Sequence, residues 1–255
     1  MLSSVEILIL SAIQGISEFL PVSSAAHLFL ISHYSVFNIQ NVLIDICLHL
    51  GSLLAIIAYF IKDLLNLAQN KDFLIKILIA TIPLIPIGYL FYYSGLINSL
   101  RNIEVIAWMS LVFGVLLYFS DKMKINNNLN SGFSFKSAII IGFFQVISLI
   151  PGVSRSGITI TAGRLMGFDR LDSTKISFFL AIPALSAASI LGIYNIYKEG
   201  SSELNFLAII AVLFSFTFSY ITIALFLNFV KKFSLNAFVI YRVVLSLFLL
   251  AIVYL

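Results

Sequence analysis

The sequence predicts an all-α integral membrane protein: six transmembrane helices plus two re-entrant helix–loop–helix segments, arranged as an inverted-topology repeat. Three observations carry that reading. Hydrophobic residues fill 61% of the 255 positions and charged ones only 10%, with a mean hydropathy of +1.09; an average soluble domain carries about 25% charged residues. Long apolar segments recur along the whole length, so residues 1–255 read as a single polytopic membrane domain with no soluble module. Finally, two apolar stretches are broken by Pro, Gly, Ser and charged residues, as in PGVSRSGIT around Arg155. Irregular polar backbone at membrane depth is tolerated only where protein or a water-filled cavity surrounds it.

A membrane span needs about 20 mostly apolar residues. The first segment, about 3–33, contains Glu18, Pro21 and several serines, and reads as a helix–loop–helix that dips into the membrane and returns to its own side. Spans at 43–61, 75–95 and 103–120 follow. The segment 135–165 is a second dip, and spans at 175–197, 205–230 and 236–255 complete the chain. Continuous spans through Glu18 or Arg155 would set those charges against lipid.

With both dips returning, one face of the membrane receives Lys62, Lys71, Lys76, Lys122, Lys124 and Lys136 from the first half. From the second half it receives Arg164, Arg170, Lys175, Lys231 and Lys232, while the other face receives only Arg101 and Lys198. Cytoplasmic loops carry the Lys/Arg excess. Both termini are therefore expected outside, the first dip entering from outside and the second from the cytoplasm. The same distribution explains the pI near 9.1 without nucleic acid. The first basic residue is Lys62, so no basic n-region of a signal peptide is expected. The single Cys47 allows neither an intrachain disulfide nor a Cys-based metal site.

The chain also repeats itself weakly. QGISEFLPVSSAAH (14–27) and QVISLIPGVSRSGIT (145–159) share Gln, Ile-Ser, Pro and Val-Ser in order, and each is followed by three spans. An odd number of spans makes the second copy, about 133–255, inverted relative to the first, about 1–120. Inverted repeats with broken helices place a binding site near the midplane, at the repeat interface.

Both motifs carry chemistry. Gln14 and Glu18 are four apart and share a helix face; an intramembrane carboxylate with an amide neighbour offers oxygen ligands to a hard cation. Ser24 and His27, beyond the Pro21 break, can supply a nucleophile and a proton-transfer partner. In the second motif Gly152 and Gly157 let backbone N–H groups approach a ligand, and the following helix start favours an anion. Ser154, Ser156 and Thr159 add hydroxyls, and Arg155 can grip phosphate oxygens bidentately. Plainer readings stand beside these. Glu18 can simply pair with Arg155, and the hydroxyls can bond within or between helices. His33 and His49 read as satisfied polar residues. Arg242 reads as snorkelling toward the cytoplasmic face from the start of the last span.

QGISEFLPVSSAAHL together with PGVSRSGITITAGRLMG, and HLGSLLAII between them, resembles bacterial undecaprenyl-pyrophosphate phosphatase of the bacitracin-resistance type, over essentially the full chain. The resemblance implies a membrane hydrolase that removes the terminal phosphate of undecaprenyl pyrophosphate, recycling the lipid carrier for peptidoglycan synthesis. It puts the family's acidic motif on Gln14 and Glu18 and its Ser and His on Ser24 and His27. Its Pro-Gly-x-Ser-Arg-Ser-x-x-Thr motif falls on Pro151, Gly152, Ser154, Arg155, Ser156 and Thr159. It also implies a divalent cation, magnesium or calcium, held by Glu18 and Gln14, and a site open to the outer face of the plasma membrane. Two departures are visible: Gln14 stands where some members have Glu, and Ala25-Ala26 stand where many have a small hydroxyl residue and Gly. The oligomeric state is left open, a homodimer included.

The competing reading is a transporter or flippase of an anionic lipid or small anion, since inverted repeats with broken helices suit transport. Transport needs a binding site but no hydroxyl–His cluster. The other superfamily of membrane lipid phosphatases fits poorly, because no His follows Ser154-Arg155 at the spacing its motif needs.

Overall fold

The computed structural model describes residues 4–34, 42–69, 71–199 and 206–255. Among them the chain is helical throughout. The first half comprises α1 (Ser4–Ser17), α2 (Ser24–Tyr34), α3 (Val42–Tyr59), α4 (Ile61–Gln69), α5 (Lys71–Thr81), α6 (Leu84–Tyr93), α7 (Leu96–Leu100) and α8 (Ile103–Asp121). The second comprises α9 (Leu129–Gly132), α10 (Phe135–Ile147), α11 (Arg155–Leu165), α12 (Arg170–Glu199), α13 (Phe206–Lys232) and α14 (Asn236–Tyr254).

Five stretches are long and apolar enough to cross a membrane: Lys71–Tyr93, Ile103–Asp121, Arg170–Tyr194, Phe206–Lys232 and Asn236–Tyr254. They match five of the six expected spans. The sixth, 43–61, is α3, whose 18 residues reach about 27 Å, just under the hydrocarbon thickness. The span expected at 75–95 is interrupted at Ile82–Pro83, where α5 gives way to α6. Pro83 has no N–H to donate and its ring clashes with the preceding turn. Pro183, by contrast, sits inside an unbroken α12.

The side chains sort as a lipid-facing protein requires. Val5, Leu213, Leu225, Val244 and Phe248 point outward, while Ser11, Ser52, Ser215, Ser219 and Ser246 are buried. Lipid gives helices no hydrophobic reason to associate, so close approach and hydroxyl bonds hold them together instead. Ser52 on α3 meets Ser215 at 3.2 Å and Ser219 at 3.0 Å on α13, and Ser215 donates to Leu48 O. The backbones come close enough there that a Cβ on Gly51 would lie 2.5 Å from Val212 O.

Contacts at the helix ends define two poles. Buried Asp121, at the end of α8, accepts both Nε (2.7 Å) and Nη2 (3.0 Å) of Arg170 and the N–H of Leu235 at 3.2 Å. Arg164 donates to the Asp121 and Met123 carbonyls, and the N–H groups of Asn126 and Asn127 reach Gly167 O. Leu129 N bonds Asp172. The start of α10 and the end of α11 therefore share one pole with Lys122, Lys124, Lys231 and Lys232. At the other pole Ile7 and Leu10 of α1 pack with Ile44, Cys47 and Ala208. Ala26 and Leu30 of α2 pack there with Ile103, Ile106 and Leu249. Both segments read as dips are thus re-entrant pairs, α1/α2 and α10/α11, entering from opposite poles.

Candidate active site

Each re-entrant pair is broken by a loop, and the two loops meet inside the molecule. In the first, Pro21 follows the end of α1, and Ser23 adopts φ +74° before α2 begins. In the second, Gly152 (φ +94°) and Ser154 (φ +73°) precede α11. Only glycine fits at 152, where a Cβ would lie 2.5 Å from Ile106 O. The two serines occupy a region that costs a non-glycine residue about 1–3 kcal/mol and is concentrated at functional sites. They are the residues that the repeat puts in register, nine positions after Gln14 and Gln145.

Between the loops lies a cavity of about 90 Å³. Ser17, Glu18, Ser23 and Ser24 line it from the first motif. Ser148, Gly152, Ser154 and Arg155 line it from the second, with Ile150 and Pro151 as the apolar wall. A salt bridge crosses it: Arg155 Nη2 donates to Glu18 Oε1 at 2.9 Å, and both side chains are nearly buried. The plain ion pair weighed from the sequence is therefore real, and it joins the two motifs. Arg155 Nη1 donates to Ser177 O of α12 at 3.0 Å, so two of the guanidinium's five N–H groups are taken.

The other oxygen of Glu18 organises the first loop. Ser24 donates its hydroxyl to Oε2 at 2.8 Å, and Gln14 Nε2 donates to the same atom at 3.1 Å. Gln14 Oε1 is left buried with no hydrogen-bond partner. That orphan acceptor beside a carboxylate suits a hard cation whose remaining ligands come from water and phosphate, as magnesium prefers. Among the described residues no group of three or more His, Cys, Asp or Glu forms a self-sufficient metal cage. On the opposite side, Ser154 caps α11 by accepting the Gly157 N–H at 3.1 Å. The helix start, with its free N–H groups and positive dipole end, opens where Ser154 and Arg155 line the cavity.

Two broken helices from opposite poles thus build a strained, hydroxyl-lined cavity that holds an arginine and a carboxylate. The family model described as "Bacitracin resistance protein BacA" matches residues 7–248. The chain belongs to the BacA family. It is 50% identical over 251 residues to the undecaprenyl-diphosphatase of Pelagibacter ubique (strain HTCC1062), covering 98% of each chain. It is 36% identical over 261 residues to that of Roseobacter denitrificans, covering 97% of this chain and 98% of the relative. The undecaprenyl-diphosphatase of Saccharophagus degradans is 37% identical over 258 residues, 96% of each.

In this BacA-family chain the residues singled out from the sequence divide into two groups. Glu18, Ser24, Gly152, Ser154 and Arg155 line the cavity, and Gln14 stands directly behind Glu18. Ser156 and Thr159 are held elsewhere. The Ser156 hydroxyl donates to Leu20 O at 2.7 Å, tying one loop to the other, and Thr159 Oγ1 lies 2.8 Å from Arg155 O and 2.7 Å from Ser177 Oγ. Both brace the cradle from outside the cavity. His27 also turns away from it: Nδ1 meets Ser23 O at 2.7 Å and Nε2 is bonded by the Tyr241 hydroxyl. His49 Nδ1 is satisfied by Asp45 O at 2.8 Å, as read from the sequence; the side chain of His33 lies outside the described residues.

One expectation is corrected. Arg242 does not snorkel to the surface; it is fully buried and donates to Ser110 O, Gly152 O and Val153 O. The physical reason is local: Gly114 on α8 leaves space for its stem, and a turn of carbonyls at the second loop offers acceptors. Ser17 and Ser148 lining the cavity also escaped the sequence reading, although they are the paired Ile-Ser positions of the repeat. Tyr241 gave no signal among eleven tyrosines.

Proposed function

We propose that this chain hydrolyses undecaprenyl diphosphate to undecaprenyl phosphate and inorganic phosphate in the cavity between its two broken helices. The observation that carries this reading is the Glu18–Arg155 bridge, which brings the two motifs together over a cavity lined with serine hydroxyls. The relatives named undecaprenyl-diphosphatase support the substrate class.

The prenyl tail stays in lipid while the terminal phosphate enters the cavity. Arg155, the Ser154 hydroxyl and the N–H groups opening α11 hold its oxygens; phosphoryl transfer asks mainly for positioning and charge stabilisation. Ser24 is the nucleophile favoured by the geometry, because its hydroxyl already donates to Glu18 Oε2. Its oxygen forms a bond to the terminal phosphorus, its proton passes to Glu18, and the bridging P–O bond breaks to release undecaprenyl phosphate. Water then cleaves the phosphoserine and frees inorganic phosphate. Glu18 and Gln14 would hold a magnesium or calcium ion, which when bound neutralises charge on the diphosphate oxygens. The basic pole faces the cytoplasm of a bacterial plasma membrane, so both termini and the cavity's opening face outward. The two halves, about 1–120 and 133–255, form an inverted repeat about this site. The product is the carrier phosphate that peptidoglycan synthesis reuses, and its supply is what bacitracin resistance would draw on.

The test is phosphate release from a prenyl diphosphate by purified protein in detergent, with magnesium, with excess chelator, and with Arg155→Ala and Ser24→Ala. Magnesium-dependent release that both variants lose is the expected result. Folded protein that binds the lipid diphosphate without releasing phosphate would overturn the reading in favour of transport.

A further inference from the structure

Among the described residues Arg242 is the largest fully buried side chain, and it takes no part in the mechanism above. Its Nε donates to Ser110 O on α8 at 3.2 Å, and its Nη2 donates to the carbonyls of Gly152 at 2.9 Å and Val153 at 3.0 Å. Nη1 has no hydrogen-bond partner, and a Cβ on Gly157 of α11 would lie 2.9 Å from it. No carboxylate pairs with Arg242 among the described residues. A buried cation without a counter-charge is costly, and a well-packed apolar residue would serve packing better. Its placement therefore asks for a reason beyond the fold.

The reason lies in what the guanidinium grips. Gly152 and Val153 are the two residues before the left-handed Ser154. Because a peptide is planar and trans, a carbonyl drawn toward Arg242 turns the next N–H the opposite way. The grip thus fixes the Gly152–Val153 and Val153–Ser154 peptide planes, the two that lead into the left-handed Ser154 just ahead of Arg155. It also leaves a positive charge behind the loop that has no partner of its own. An anion in front of the loop would feel that charge in a low-dielectric setting.

The neighbouring residue on α14 performs the matching task for the first loop. Tyr241 stacks on His27 (centroids 5.7 Å apart, planes at 11°) and bonds Nε2 through its hydroxyl. His27 Nδ1 faces Ser23 O at 2.7 Å, so the proton sits on Nδ1 and the tyrosine donates to Nε2. Ser23 is the left-handed residue of that loop.

We infer that Tyr241 and Arg242, consecutive on α14, are the positioning residues that set the two cavity loops against each other. Tyr241 acts through His27 and Arg242 through the Gly152–Val153 carbonyls. This rests on the proposed cavity reading.

The experiment measures kcat, KM and Tm for Tyr241→Phe, Arg242→Lys and Arg242→Gln in detergent, with a prenyl diphosphate and magnesium, beside Arg155→Ala. Loops that position the reacting phosphate act on the transition state, so their misplacement shows in kcat more than in KM. Tyr241→Phe loses one exposed-side hydroxyl and is expected to keep the parental Tm while kcat falls about tenfold. Arg242→Lys is expected to lose about a hundredfold in kcat, as misplacement by roughly an ångström does, with KM within about threefold, and Arg242→Gln to lose more. Parental kcat in folded Arg242→Lys and Arg242→Gln overturns the arginine's role, and parental kcat in Tyr241→Phe overturns the tyrosine's. Should the Arg242 variants not fold, Tyr241→Phe alone decides whether α14 sets the loops. Arg155→Ala separates the two readings: an active Arg155→Ala sinks the cavity itself, whereas an inactive one beside parental α14 variants sinks only this inference.

Discussion

Arg155 is held by two acceptors of different kinds, the Glu18 carboxylate and the Ser177 carbonyl, and each uses a different arm of its planar fork. Lysine keeps the charge but cannot serve both arms and a phosphate together. Arg155→Lys is expected to lower phosphate release by about 10²–10³-fold, read in the same detergent assay. The partner residue makes a second prediction. Glu18→Gln leaves a nearly buried cation without its counter-charge, which costs about 3–5 kcal/mol and lowers Tm. Adding Arg155→Gln removes the orphan charge, so the double variant should be less destabilised than the sum of the singles. Strict additivity in that cycle would mean the bridge carries no coupling. Gln14 and Ser24 belong to the same carboxylate, and nothing in their spacing from Glu18 required that both would converge on one oxygen.

Helices in this molecule are joined by two devices that fail in different ways. At the basic pole, Asp121 receives Arg170 and Leu235 and lies beside Arg164, linking α8, α11, α12 and the start of α14. Asp121→Ala removes the acceptor and strands Arg164 in the interior. Stability should fall by about 3 kcal/mol, seen as a lower Tm, with kcat per folded molecule unchanged because the cavity is remote from this cluster. Mid-membrane, α3 and α13 touch through Gly51 and the Ser52–Ser215–Ser219 hydroxyls. Gly51→Val forces a side chain against the Val212 carbonyl and should cost about 1–3 kcal/mol through overpacking, whereas Gly88→Ala, whose Cβ would meet only Leu149 at 3.5 Å, should leave Tm unchanged.

At the scale of the whole molecule, the two poles differ in charge, and the two re-entrant pairs enter from opposite ones. That arrangement lets a site built at mid-depth draw one wall from each end of the bundle. Orientation in the cell has a direct check. Cys47 is the chain's single cysteine and is buried, so a Cys47→Ala background is blank for thiol reagents. In intact cells a membrane-impermeant maleimide should label Ser99→Cys, at an exposed position of the short helix α7, and should label Lys124→Cys only after lysis. The reverse pattern would invert the topology.

Composition and charge distribution alone determined that this is a polytopic helical membrane protein, where its spans lie within a few residues, and which pole carries the lysines. Those properties follow from transfer of side chains and backbone into lipid, which depends on local sequence and hardly on partners. The two broken motifs were legible for the same reason: Glu18, Pro21, Gly152 and Arg155 are intolerable in a lipid-facing helix, so their position announced an interior site. The break at Pro83 lies inside an apolar run, where hydropathy alone marks one continuous span. What only the tertiary structure decided is who faces whom. Ser24 pairs with Glu18 rather than with His27, three residues away on the same helix. Ser156 and Thr159 brace the cradle instead of lining it. Arg242 points inward because Gly114 and two loop carbonyls, 128 and about 90 residues distant in the chain, make room and acceptors for it. Lipid rewards burying a charge wherever acceptors exist, and where they exist is a property of packing.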